Sequence, residues 1–463
     1  MRKSLVLIAI LLALSVGVIA SAAVQMDAQH EHITITEETL YGDPAAVEGL
    51  HISTRTHSNH RLFWDTSYDA GSEPQPETVF TYSHQRVYEE WESAGYFNLQ
   101  PSHLNSGFSG HIDLEKELEE YEPFSDAPSL WLPVIDVAGR TKAGEEHTER
   151  VLLADYYETF PMGYNYDPYR GYGYYENQES LRKFFDRTFT IPVPEDLELN
   201  VTVCKDEEGQ IYNIDYHEPD GISMNTYTNA VVLEDGVFFG MFGDADFSRL
   251  QPGYGLYFMP VGEDKEIAAI DGRTGESIPY VYLKQQCENI YPMDPKDCEE
   301  GSLYLSADRQ QVYAFTKEQG QVNLTVFDAH TREVLQQIET GNTRTPTVWC
   351  QGEVVAAVTG DDAWENFRLQ VWLVRDGLLE PWLDTEMYRF HDEYINWYVN
   401  PVMAFDGERL AFVRYHDNYN DATHRILIYD QSGLLYAGDY HHSGDDLVEH
   451  LQTWGNGLQV QWR

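Results

Sequence analysis

Pro401-Val-Met-Ala-Phe-Asp-Gly-Glu-Arg-Leu-Ala-Phe-Val413, followed by Arg425-Ile-Leu-Ile-Tyr-Asp430, decides the fold. Two short apolar runs flank an Asp-Gly pair, and a third run follows a polar gap. Asp-Gly supplies the positive φ of a tight hairpin turn, so the first two runs read as paired strands. The same order occurs upstream. Gly301-Ser-Leu-Tyr-Leu-Ser-Ala-Asp308 leads to Gln311-Val-Tyr-Ala-Phe315, then to Val322-Asn-Leu-Thr-Val-Phe-Asp328. Asp308 and Asp406 lie 98 residues apart, and the strand cores that follow them coincide at that offset. At an offset of 55, Gly352–Val358 overlays Gly407–Val413, and Val371–Val374 overlays Ile426–Tyr429. A unit of about 43 to 55 residues is the size of one four-stranded propeller blade.

A lone four-stranded sheet cannot bury both of its faces. Stacked around an axis, such sheets cover one another and leave only short edges exposed. The chain is therefore expected to be all-β: a single β-propeller of six to eight four-stranded blades, with seven favoured. Leu50–Thr54, Arg61–Asp65 and Thr78–Tyr82 form the expected first blade. Ring closure commonly borrows a strand from the opposite terminus, which suggests His32–Thr36 beside Leu458–Trp462. Trp131 and Trp349 are expected to pack between blades.

Insertions interrupt the rhythm near residues 84–125 and 156–187. Val87–Ser93 and Leu114–Tyr121 have helical composition, and Glu179–Phe185 reads as a short helix. Leu130–Val137, rich in Val, Ile and Leu, reads as a strand. So do Arg150–Asp155, Leu199–Val203, Ala230–Leu233, Val237–Phe242 and Gly255–Met259. The expected organisation is a signal peptide or anchor over 1–24, a lead-in over 25–48 and the propeller over 49–463.

The segments Pro401–Val413 and Ser306–Phe315 resemble the WD40-like repeat of TolB-type propeller proteins, which carries a Ser-Pro-Asp-Gly turn. The chain departs from it: Ala307 replaces the proline, and Ala404-Phe405 replaces Ser-Pro. The resemblance covers about residues 195–463. It implies a fold and an exported bacterial protein, and it is silent on activity because propellers host many functions.

Composition bounds the partners. The formal charge is -47, from 77 acidic and 30 basic residues. Such a chain repels phosphate backbones, so nucleic acid is excluded as a partner. Arg2 and Lys3 precede an apolar run from Leu5 to Val24, with Ala20-Ser21-Ala22 as a small-x-small cleavage site. The run is also long enough to serve as a retained anchor. Both readings export the rest of the chain, to the outside or to the outer face of the cytoplasmic membrane, and the membrane is met only through this segment. Of the four cysteines, Cys287 and Cys298 flank a turn-rich stretch; a disulfide closing that loop and two buried thiols are alternatives.

No HExxH, Gly-x-Ser-x-Gly, phosphate-binding Gly-Lys-Ser/Thr loop or dinucleotide glycine pattern is present. No cofactor is expected. His57 and His60 form one histidine cluster; His441, His442 and His450, with Asp445 and Asp446, form another. Exposed polar loops give the same pattern, so no metal site is expected. The strongest binding candidate is the tyrosine-rich stretch carrying Tyr164, Tyr166, Tyr169, Tyr172, Tyr174 and Tyr175. Tyrosine combines a flat apolar face with a hydroxyl at low entropic cost, which suits sugar or peptide contacts. The expected function is a binding, sensing or interaction module at the cell surface, with a protein, peptide or glycan ligand. A glycosidase or lyase using scattered Asp and Glu, and an envelope scaffold, are the alternatives.

Overall fold

The computed structural model describes residues 12–24, 34–87, 98–101, 108–112, 131–160, 164–167, 178–217, 226–243, 250–262, 268–270, 277–279, 283–294, 300–360, 367–387, 401–415, 423–443, 452–453 and 457–463. These residues are mostly β. They form six antiparallel sheets of four or five strands and two two-stranded ribbons. The chain divides into two compact units: Met1–Glu92 with Thr347–Arg463, and Ser93–Pro346.

The first unit holds three of the larger sheets. The first sheet orders Gln452–Thr453 and Gln459–Trp462, then Leu50–Ser58, Leu62–Asp69 and Glu77–Tyr82. The fifth runs Thr347–Gln351, Val354–Gly360, Phe367–Arg375 and Leu378–Glu386. The sixth runs Val402–Phe405, Leu410–Tyr415, Thr423–Asp430 and Gly433–Ser443, with Thr34–Gly42 as its fifth strand. Trp349, Leu369, Val371, Phe412 and Leu427 form one core between the fifth and sixth sheets. Trp349 meets Phe412 edge-on at 5.5 Å, the inter-sheet position expected of it. Ile52, Tyr68, Ala411, Ile426, Ile428 and Tyr440 form a second core between the sixth and first sheets.

Both termini close this unit, through partners other than those expected. The strand beginning at Thr34 pairs with Gly433–Ser443, Thr34 opposite Ser443, and not with the C-terminal strand. The C-terminal strand instead pairs with the start of the first sheet, Trp462 opposite Leu50. Each end thus supplies a missing edge to a different sheet.

The second unit holds the other three large sheets. The second sheet orders Phe108–Ile112, Ile211–His217, Glu198–Lys205 and Glu146–Leu152. The third orders Thr226–Val232, Gly236–Gly243, Gly255–Pro260 and Glu288–Pro292, and the fourth Gly301–Leu305, Gln311–Glu318, Gln321–Asp328 and Val334–Asn342. Every residue of Gly236–Gly243 is buried. The Phe242 ring fits only because two neighbours lack side chains: a Cβ on Gly240 or Gly301 would lie 2.2 Å from it. The helix Gln178–Thr188 buries Leu181 and Phe185, one turn apart, against this core. Each such burial is worth about 1.5–3 kcal/mol.

Residues Trp131–Arg140 form a helix where the sequence suggests a strand. Val134, Val137 and Ala138 recur at helical spacing and are buried, while Pro133 lies in the first turn, where a helix tolerates the lost donor. A β-branched run that buries only one stripe is helical in spite of its composition. The expected helix at Glu179–Phe185 is present. Those expected at Val87–Ser93 and Leu114–Tyr121 lie wholly or almost wholly outside the described residues. A helix also spans residues 12–24. No helix among the described residues is long and apolar enough to cross a membrane.

The repeat seen in the sequence is visible in the turns. Asp406 accepts the amides of Glu408 and Arg409 at 2.9 and 2.6 Å. Asp308 accepts the amide of Gln310 at 3.1 Å and the Ser306 hydroxyl at 2.7 Å. Gly407 has φ +102°, and Arg309, the residue that follows Asp308, takes φ +61°.

Candidate functional site

Strict alternation along the first sheet separates two faces. Leu50, Ile52, Tyr68 and Val460 belong to the core shared with the sixth sheet. The other face is polar. Ser53 stands opposite Gln459 on one side and Ser67 on the other, and Ser67 stands opposite Glu77. These four side chains make a row across four strands. Beside it, Arg55, Asp65 and Val79 make a second row. Arg55 donates to Asp65 through Nε and Nη2 at 2.5 and 2.8 Å. The rows open into a cleft of about 690 Å³ lined by Ser53, Arg55, Asp65, Ser67, Glu77 and Gln459 among others. Polar rows of this kind distinguish the sheet from a strand such as Val354–Gly360, whose first six residues are all buried.

The same face continues past the cleft. His51 Nδ1 lies 2.8 Å from Asp69. His57 stacks on His60 with ring centroids 4.3 Å apart, and Phe63 packs beside it at 6.1 Å. Burial, and then the charge of His60, push His57 down to about 4, so it is neutral at pH 7.

Behind the sheet lies a buried polar seam. His424 Nδ1 and His442 Nε2 are 3.1 Å apart, and His424 Nε2 is 3.3 Å from the Thr54 hydroxyl. Tyr68 of the first sheet stacks on Tyr440 at 5.9 Å and meets His442 edge-on at 5.8 Å. Tyr436 donates to Glu37 of the N-terminal strand at 2.8 Å. Burial raises both tyrosines, Tyr440 to about 12 and Tyr436 further, so both remain neutral donors.

Each sheet of this unit also carries an arginine forked onto an aspartate of the next strand: Arg55–Asp65, Arg368–Asp384 and Arg425–Asp439. The carboxylates displaced from the ordinary range all titrate low. Arg368 lowers Asp384 by hydrogen bonding and charge. Burial would raise Asp406, but the amides of Arg409 and Glu408 outweigh it. Asp328 is lowered first by the amide of Thr331, and Asp136 first by the Tyr156 hydroxyl. These are ion-pair and turn chemistries.

The two predicted histidine clusters fall on different parts of the first unit. His57 and His60 lie on the polar face of the first sheet, whereas His442 lies in the seam against His424. His441 is held by Thr423 at 2.9 Å and by Glu38 at 3.5 Å. Asp445, Asp446 and His450 lie outside the described residues. No group of three or more metal-ligating side chains occurs among the described residues. Tyr164 and Tyr166 sit on the short strand Tyr164–Asp167, opposite Pro101 and Leu99. Tyr169, Tyr172, Tyr174 and Tyr175 lie outside the described residues, as does Cys298. Burial pushes the Cys287 thiol up to about 11. The polar rows of the first sheet and His424 were missed in the sequence. The signal for the rows was there: Ser53, Arg55 and His57 alternate with Ile52, Thr54 and Thr56.

No family model and no curated protein matches the chain. Among solved structures, it is similar to a 6-phosphogluconolactonase-like protein of Bacteroides uniformis, at 9% identity and a TM-score of 0.31, over 88% of this chain and 99% of that one. Apo AztD of Citrobacter koseri aligns at 10% identity and a TM-score of 0.26, over 90% and 98%. TolB of Acinetobacter baumannii aligns at 10% identity and a TM-score of 0.21, over 57% and 62%. Scores this low carry no argument, so the class of the fold rests on the chain's own sheets.

Proposed function

We propose that the protein is an exported binding module of the β-propeller class, and that the polar cleft of the first sheet takes an uncharged, hydroxyl-rich ligand of the glycan kind. The observation behind this reading is the pair of cross-strand rows, Gln459–Ser53–Ser67–Glu77 and Arg55–Asp65–Val79, at the cleft. Adjacent strands lie about 4.8 Å apart, so the first row offers hydrogen-bonding groups at a spacing comparable to neighbouring sugar units. Arg55 is already engaged by Asp65 and offers no spare positive charge to an anion. The rows lie on a sheet, a stiffer support than a loop.

Glycan and peptide arrays, followed by calorimetry, test the reading. A neutral oligosaccharide should bind, and Ser67→Val with Asp65→Asn should weaken it at least tenfold. A best ligand that both variants bind as well as the parent does would overturn the assignment of the cleft. Hydrolysis of the bound glycan would move the protein to the glycosidase reading. The tyrosine-rich stretch Tyr164–Tyr175 is a second contact candidate, tested by the same arrays with Tyr164→Ala and Tyr166→Ala. Export rests on the 1–24 segment; N-terminal sequencing of protein recovered outside the cytoplasm separates cleavage from anchoring.

A further inference from the structure

We infer that His424 and His442 form a pH-sensitive latch between the sixth and first sheets, closed while both rings are neutral and opened when acid protonates them. The pair is buried: His424 is 0% exposed and His442 8%. The rings belong to neighbouring strands, Thr423–Asp430 and Gly433–Ser443, and meet edge-on at 4.8 Å. A neutral imidazole has one donor and one acceptor nitrogen. Thr54, His424 and His442 can therefore share protons in one direction along the chain of contacts, joining the two sheets. With both rings charged, two N–H groups would oppose each other across 3.1 Å. Even a single charge is placed in a buried site, a cost that burial imposes on any cation. Burial, and then the charge of His442, hold His424 well below its ordinary range.

Among the described residues, the following groups surround the pair. From the first sheet come Thr54 and Tyr68, both neutral. From the sixth sheet come Tyr440 and Tyr436, raised by burial. Glu37, on the N-terminal strand, is bonded by Tyr436 and Thr39. Glu38 lies 3.5 Å from His441, and Asp439 is forked by Arg425. Tyr415 stands opposite His424 in the ladder, and Arg414 opposite Arg425. Segments 416–422 and 444–451 lie outside the described residues.

Amide hydrogen exchange on the full chain at pH 7.5 and pH 5.0, corrected for intrinsic rates, tests the latch without any ligand. Peptides covering 34–42 and 423–443 should lose protection at least tenfold at pH 5.0, while 236–243 keeps its own. His442→Gln should shrink the pH dependence of the seam, and by more than His57→Gln does. Seam protection equal at the two pH values, or lost together with that of 236–243, would overturn the inference. So would a His442→Gln chain that opens with acid as the parent does. The wild-type comparison stands by itself where a variant does not fold.

Discussion

Asp439 lies 55 residues after Asp384, and each accepts a forked arginine from the strand beside it. The arginines are not equivalent. Gln370, 55 residues before Arg425, occupies the matching place and reaches Asp384 only at 3.4 Å, while Arg368 supplies the fork. The repeat has kept the carboxylate and moved the cation. Burial then separates the two pairs: side chains of Arg425 and Asp439 are 5% and 8% exposed, those of Arg368 and Asp384 36% and 50%.

Removing one partner of a buried ion pair leaves an uncompensated charge, whereas an exposed pair contributes little. Asp439→Ala should therefore lower stability by about 3–5 kcal/mol, and Asp384→Ala by no more than about 1 kcal/mol. Urea unfolding at pH 7 measures both. Replacing Arg425 and Asp439 together by Met and Leu should recover most of the loss.

The aromatic slot of the third and fourth sheets predicts a coupling. Gly301→Ala places a methyl 2.2 Å from the buried Phe242 ring. Overpacking of this kind costs roughly 1–3 kcal/mol. Phe242→Leu should cost stability in the parent, yet relieve part of the Gly301→Ala defect. A double-mutant cycle that shows strict additivity would reject the slot.

His57 gives stability a slope in acid. Its folded pKa, about 4, lies below the ordinary value of 6.5, so the unfolded chain takes up the proton first. Its contribution is complete above pH 6.5 and is lost as the pH falls towards 4. Urea midpoints at pH 7 and pH 5 should differ less in His57→Gln than in the parent.

Arg409 ties the C-terminal strand down. Its guanidinium lies 4.0 Å from the Trp462 ring and donates to the carbonyls of Ala46 and Glu48 at 2.9 and 3.3 Å. Arg409→Ala should cost about 1–2 kcal/mol and expose Gln459–Trp462 to proteolysis. Arg409→Lys should recover only part of this, because an ammonium cannot reproduce the planar fork.

Strand patterning was legible because local chemistry wrote it. Asp406-Gly407 marks a turn, and Val354–Val358 marks a doubly buried strand. Leu130–Val137 was misread because composition favoured a strand, while its burial, confined to Val134, Val137 and Ala138, follows a helical stripe. The pairing of Trp462 with Leu50 joins positions more than four hundred residues apart, and no local signal encodes it. The seam was half legible. His442 stood out beside His441, but His424 is isolated in the sequence and acquires meaning only when the Thr423–Asp430 strand is laid beside its neighbour. The cleft was hidden for a related reason, since its rows run across strands and not along them.

The first sheet cannot be assembled in the order in which the chain is made. Leu50–Ser58 must wait for residues 452–453 and 459–462, which are made only after the other strands of both units. Until then that edge offers unpaired amides and carbonyls to any passing strand.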